Sequence, residues 1–141
     1  MRFVDTNVLL YAVSRVPEDA GKRRRARALL REEDLTVSVQ VFQEFHRQAT
    51  RPTRPGRLTD EDAVGFLGIL LRFPVQDVTL DLFREAVAVS RRFRLSYWDG
   101  AILAAARAAG CDAVYSEDLS SGQDYDGVRV IDPFEERSSS P

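Results

Sequence analysis

The sequence predicts an α/β fold, an α/β/α sandwich around a mainly parallel central sheet. Three observations predict it. Short apolar, β-rich runs alternate with helical patterns along the chain, the order that builds strand–helix–strand units and a parallel sheet. Two of those runs, Phe3-Val4 and Ala113-Val114-Tyr115, lead directly into acidic segments, Asp5-Thr6-Asn7 and Ser116-Glu117-Asp118. The breakers fall between patterned segments, as at Pro17, Pro74, Gly110 and the RPTRPGR stretch 51–57.

The elements follow in order. Phe3-Val4 reads as a buried strand ending at Asp5, and Val8 to Val13 as a helix. Pro17-Glu18-Asp19 opens a second helix running to Glu33, its first-turn acids matching the positive end of the helix dipole. Leu35 to Val39 (LTVSV) is alternating and β-rich, hence a strand. Gln40 to Thr50 carries Val41, Phe42, Phe45 and Ala49 on one helical face. After the 51–57 loop, Thr59-Asp60-Glu61-Asp62 starts a helix reaching about Arg72, with a capping-box pattern at its head. Val75 to Thr79 is strand-like and Leu80 to Phe93 helical. Ser96 precedes an Ala-rich helix, Tyr97 to Ala109, closed by Gly110 as a C-terminal cap. Ala113 to Tyr115 and Val128 to Ile131 are the last strands, separated by the polar loop SSGQDYDG. The expectation is one domain over residues 1–134, with 135–141 a disordered tail.

Composition narrows the chemistry. The chain has 141 residues, a formal net charge of −2, one Cys (Cys111) and one His (His46). A single thiol forbids an intrachain disulfide, and one Cys with one His forbids the usual zinc site. Any metal must therefore sit among oxygen ligands. Of the 20 basic residues one is lysine, Lys22, so chemistry that needs a lysine must use it. No apolar run reaches the ~18 residues of a membrane span, and no secretory signal pattern opens the chain. The expected setting is cytoplasmic.

Four acids stand out, each with an ordinary reading beside it. Asp5 follows a strand, where it can cap the next helix or belong to a site. Asp118 follows another strand, as a turn acid or a site acid. Ser96-x-x-Asp99 fits a capping box, yet Asp99 shares a helical face with Ile102, Leu103 and Ala106, and charges seldom face a core without a partner or a metal. Glu44 flanks an apolar stripe and reads equally as a solvated residue. In parallel sheets ligands bind beyond the carboxyl ends of the strands, where Asp5 and Asp118 lie. Ionised carboxylates ~4 Å apart repel by about 4 kcal/mol at an effective dielectric of 20. Gathering them requires a shared proton or a cation, and an oxygen-only set suits Mg²⁺ or Mn²⁺. Glu117, Asp124 and Asp126 read as loop acids.

FVDTNVLLYA, Glu44 on the helix after the second strand, LSYWDGAILAAA and VYSEDL, in that order and spacing, together resemble the PIN-domain family, and most of all the VapC-type toxins of bacterial toxin–antitoxin pairs. The resemblance covers about Met1 to Phe134. It implies a Mg²⁺- or Mn²⁺-dependent endoribonuclease whose four acidic positions are Asp5, Glu44, Asp99 and Asp118, with Asn7 and Ser116 as polar companions. It implies an RNA substrate and a cognate antitoxin. Gly100 stands where the family more often has Ala, a departure that reads as harmless, and Ser120 replaces an acid some members carry. Arg23 and Arg24, in the 22–27 basic run, and Arg47 and Arg51, with Arg54 and Arg57 beyond, are the expected RNA contacts. Tyr97 and Trp98 read as stacking groups for RNA bases or as core groups, core packing being the favoured reading of Trp98.

Two other phosphoryl-transfer folds begin with a strand-end Asp. Haloacid-dehalogenase-like phosphatases need a second Asp where this chain has Asn7, and they and receiver domains need a lysine on a late strand, which is missing after Lys22. The alternative of another class is a non-catalytic module of the same fold that binds protein or RNA. The segment 63–71 is richer in large apolar side chains than one buried face needs, a surplus suited to a pairing surface for a homodimer or an antitoxin segment.

Overall fold

The computed structural model describes residues 1–135; the tail expected at 135–141 lies, from 136 onward, outside the described residues. The strands are β1 (Arg2–Val4), β2 (Leu35–Ser38), β3 (Val75–Gln76), β4 (Ala113–Tyr115), β5 (Asp124–Tyr125) and β6 (Val128–Ile131). The helices are α1 (Thr6–Ala12), α2 (Ala20–Leu29), α3 (Val39–Ala49), α4 (Asp60–Ile69), α5 (Leu80–Phe93) and α6 (Tyr97–Ala108). They form a six-stranded sheet in the order β3-β2-β1-β4-β6-β5. Every pairing is parallel except β5 with β6. With right-handed crossovers, the connections stepping from β1 to β2 to β3 carry α1–α4 over one face, and the return to β4 carries α5 and α6 over the other. The stepping direction reverses between β1 and β4, which pair in register at Phe3 with Val114 and Val4 with Tyr115. That reversal opens a crevice at the carboxyl edge.

Local sequence fixes the helix starts. Ser38, Thr59, Thr79 and Ser96 each place a hydroxyl on the backbone N–H three residues on, capping α3, α4, α5 and α6. Gly110 takes φ +77°, as a helix C-terminal glycine does. The core is apolar and continuous: Phe3, Val8, Leu9, Val41, Phe45 and Val114 have no exposed surface. No described helix is long and apolar enough to cross a membrane.

Four boundaries differ from the sequence reading. The helix from Pro17 splits into a 3₁₀ turn, Pro17–Asp19, and α2, which stops at Leu29 rather than Glu33. The helix expected to reach Arg72 ends as α4 at Ile69 and tightens into a 3₁₀ turn over Leu70–Arg72. The strand at 75–79 shrinks to two residues at the sheet edge, and Val78 is exposed. The loop SSGQDYDG contains a strand, β5, turned into β6 by Asp126 at φ 54° and Gly127 at φ 93°. An Asp-Gly pair between Tyr and Val is a hairpin signal, legible in the sequence but not used.

Gly100 is required by the packing of this chain. It is buried where α6 meets α5, and a Cβ there would lie 2.8 Å from the Ala86 carbonyl oxygen and 3.0 Å from the Ser90 nitrogen. Backbone cannot yield locally, so the helix pair is built around the missing methyl group. Gly100→Ala should therefore destabilise by about 2 kcal/mol despite its better helix propensity, lowering Tm by roughly 5–10 °C in a calorimetric scan.

Candidate active site

The crevice at the β1/β4 reversal is a cleft of about 360 Å³ whose lining includes Asp5, Asn7, Glu44, Asp99 and Asp118. All four acids singled out in the sequence thus face one cavity, from four elements distant along the chain. Asp5 ends β1, Glu44 lies in the middle of α3, Asp99 in the first turn of α6, and Asp118 just beyond β4.

Asp5 both caps and lines the site. Its Oδ1 accepts from the Thr6 backbone N–H at 2.7 Å, starting α1, and its Oδ2 accepts from the Ser116 hydroxyl at 2.8 Å. The side chain is almost wholly buried. Burial pushes its carboxyl from the usual 3.8 up to about 7; the two hydrogen bonds oppose this, and the charges of Asp118 and Glu44 add to it. Asp99 is half-buried, and burial first, then the same two carboxylates, raise its pKa, while its bond with Ser96 opposes.

Ser116 organises the far side. Its fully buried Oγ donates to Asp5 and accepts from the backbone N–H groups of Asp118 (3.1 Å) and Leu119 (3.3 Å), folding the 116–119 turn around the site. Asn7 completes it: Nδ2 donates to Ser116 Oγ (3.3 Å) and Asp118 Oδ2 (3.2 Å), while Oδ1 accepts from Glu117 N–H. Both polar companions expected from the sequence therefore touch the acids.

Sequence reasoning missed other contributors. Glu44 is held at both oxygens, Oε2 by the Thr6 hydroxyl at 2.7 Å and Oε1 by Gln40 Nε2 at 3.0 Å. The Gln40–Glu44 spacing is a readable i,i+4 helical pair; the Thr6 contact spans 38 residues and left no local signal. Glu117, read as a loop acid, lines the cleft, paired with Lys22 Nζ at 2.6 Å and accepting from Tyr11 Oη at 2.8 Å. That bond to Glu117 raises the pKa of Lys22. Of the two readings of Trp98, stacking group or core, the structure excludes the core one. Trp98 is 62% exposed, not a core residue, because the first turn of α6 projects past the packed face.

The basic residues divide. Arg54 lines the acidic cleft, and Arg47 and Arg51 line an adjoining hollow together with Glu44, Gln48 and Trp98. Arg23 faces a separate hollow with Arg15 and Arg27 and donates to the Ser14 carbonyl; Arg24 is exposed outside both.

Among the described residues, no three His, Cys, Asp or Glu side chains converge as a ready-made metal cage. The four carboxylates line the cleft instead of meeting at a point, as mutual repulsion requires of ionised groups. The donor chemistry is nonetheless uniform, since neither His46 nor Cys111 lines the cleft.

An α/β sheet with a carboxylate-lined crevice at its strand reversal defines the class. A family model, the PIN domain, matches residues 2–120, and the chain belongs to the PIN-domain family. No curated protein matches it in sequence. Solved structures share the fold. The chain is similar to Mycobacterium tuberculosis VapC20, a Sarcin-Ricin loop cleaving toxin (24% identity, 84% of this chain and 90% of that one, TM-score 0.66). It is similar to a toxin–antitoxin complex from Klebsiella pneumoniae (20% identity, 96% and 99%, TM-score 0.66) and to DNA-bound VapBC from Salmonella typhimurium (18%, 92% and 95%, TM-score 0.64).

Two outcomes follow from this geometry. Ser116→Ala strips one acceptor from three donors and one donor from Asp5; leaving buried N–H groups unpaired should lower stability by about 2 kcal/mol in urea unfolding. For Asp5, the folded pKa of about 7 lies above the ordinary 3.8, so the folded state keeps a proton that the unfolded chain releases. Its contribution to stability is full below about pH 4 and lost as pH rises through about 7. In chelator-containing buffer, urea midpoints measured from pH 5 to 8 should fall with pH, and fall less in Asp5→Asn.

Proposed function

We propose that the protein is a Mg²⁺- or Mn²⁺-dependent endoribonuclease, the toxin of a toxin–antitoxin pair, acting in the cytoplasm as one nuclease domain over residues 1–134. The observation that carries the reading is the cleft itself: four carboxylates at the carboxyl edge, with Asp5 held desolvated among them. Membership of the PIN-domain family supports it, as do the toxins and toxin–antitoxin complexes that share the fold.

Asp5, Asp99 and Asp118, with Glu44, are the residues to hold the cation, since all offer hard oxygen donors and the cleft contains no softer ligand. A bound Mg²⁺ or Mn²⁺ would supply an activated water and compensate charge on the phosphate. The chain's own groups do the rest. Thr6 and Gln40 fix both oxygens of Glu44, leaving a lone pair on each to orient the attacking water. Ser116 and Asn7 hold Asp5 and Asp118 against their repulsion. Arg54, at the cleft, and Arg47 and Arg51, beside it, face the phosphate backbone. Water adds to phosphorus, one P–O ester bond breaks, and the leaving oxygen takes up the proton.

The alternative, a non-catalytic module, draws on exposed Val64, Ile69 and Leu71 around α4. An apolar surface there suits an antitoxin segment, and a second apolar group at Val78, Leu80 and Phe83 suits a homodimer contact. Neither conflicts with catalysis, so cleavage decides.

Purified protein should cut single-stranded RNA with Mg²⁺ or Mn²⁺, stop on chelation, and fall to background in Asp5→Asn with an unchanged circular dichroism spectrum. Undiminished cleavage by folded Asp5→Asn would overturn the mechanism.

A further inference from the structure

Trp98 is the single tryptophan of the chain, and it stands exposed immediately before Asp99. Burial does not explain it: the buried part of α6 is the run from Gly100 to Ala106, and Trp98 precedes it. Its position is nonetheless fixed. Its ring meets Tyr97 edge-on at 5.0 Å between centroids, and its carbonyl accepts from Gln40 Nε2 at 3.3 Å, the same amide that holds Glu44. Trp98 borders two cavities at once. One is the carboxylate cleft; the other is the hollow of about 470 Å³ that it shares with Glu44, Arg47, Gln48 and Arg51. Among the described residues neither Arg47 nor Arg51 enters an ion pair, so both guanidinium groups face solvent across an exposed indole.

An aromatic face beside uncommitted arginines is the arrangement that takes an unstacked base and its backbone. Two arginines against one glutamate line the hollow, with the indole as its broad apolar face, a mix of cations and one aromatic face that favours a nucleic-acid strand over a protein segment. Resting on the nuclease reading, we propose that Trp98, with Arg47 and Arg51, is a stacking platform for an unpaired base next to the phosphate that enters the carboxylate cleft. The substrate is therefore single-stranded at that nucleotide. A paired base stays in its stack and cannot reach the indole.

The single tryptophan makes the test direct. With chelator present to suppress cleavage, a mixed-sequence single-stranded RNA decamer is titrated while Trp98 emission is followed; the same decamer annealed to its complement is titrated in parallel. The single strand should quench the emission to saturation, and the duplex should quench it far more weakly. By fluorescence anisotropy of a labelled decamer, Trp98→Ala should bind about tenfold more weakly, and Trp98→Tyr should recover most of the loss. Trp98 is exposed, so neither variant threatens the fold.

Unchanged affinity in Trp98→Ala overturns the platform, as does a bound decamer that leaves the emission untouched. So does a Trp98→Ala protein that merely dissociates from dimer to monomer in sedimentation while binding RNA normally. Cation-dependent cleavage without quenching refutes the platform and spares the nuclease; quenching without cleavage does the reverse.

Discussion

A carboxylate buried at the end of the first strand sets the terms for the rest of the molecule. Asp5 is 5% exposed and carries burial's full penalty against ionisation. The fold meets that penalty with two hydrogen bonds, from the start of α1 and from Ser116 on the neighbouring strand's exit. The register of β1 against β4 is therefore tied to the site. Slipping it by one residue would turn Val4 and Tyr115 over and carry Ser116 away from Asp5. The small side chains of α6 serve the same end. Gly100 and the alanines after it let α6 sit against α5 with Asp99 at its head.

The acids of the cleft work against one another. Asp118 and Glu44 both raise the pKa values of Asp5 and Asp99, so each acid makes its neighbours harder to ionise. The surrounding network limits the damage. Thr6, Gln40, Asn7 and Ser116 each bond at least one acid. Lys22 removes Glu117 from the contest by pairing with it. The chain's one lysine thus neutralises one of the two further carboxylates that line the cleft; the other, Asp19, accepts from the Ser14 hydroxyl at 2.7 Å.

The parts legible in the sequence were those with local or periodic signals. Strand-end positions and parallel topology brought Asp5 and Asp118 to one edge, and helical periodicity put Asp99 on the inward face. The capping hydroxyls of Thr59 and Ser96 were read from spacing alone and are present. Long-range pairings were invisible: Thr6 with Glu44 and Lys22 with Glu117 span 38 and 95 residues. The core reading of Trp98 failed because aromatic character suggests a core, whereas exposure depends on how far a helix end overhangs its neighbours. The packing demand for Gly100 left no local signal, because it comes from the backbone of α5 lying against it. The β5–β6 hairpin had a usable signal in Asp126-Gly127 that polarity disguised as loop.

The central claim is that the carboxylate set lining the cleft exists to hold a divalent cation. Isothermal calorimetry with Mn²⁺, on wild type and on Asp99→Asn, tests it most directly. Asp99 is half-buried and borders the cleft from α6, so its amide should leave the fold intact. The account predicts saturable Mn²⁺ binding to wild type and at least about tenfold weaker binding to the folded variant. Equal binding by both proteins, or none by either, would contradict it.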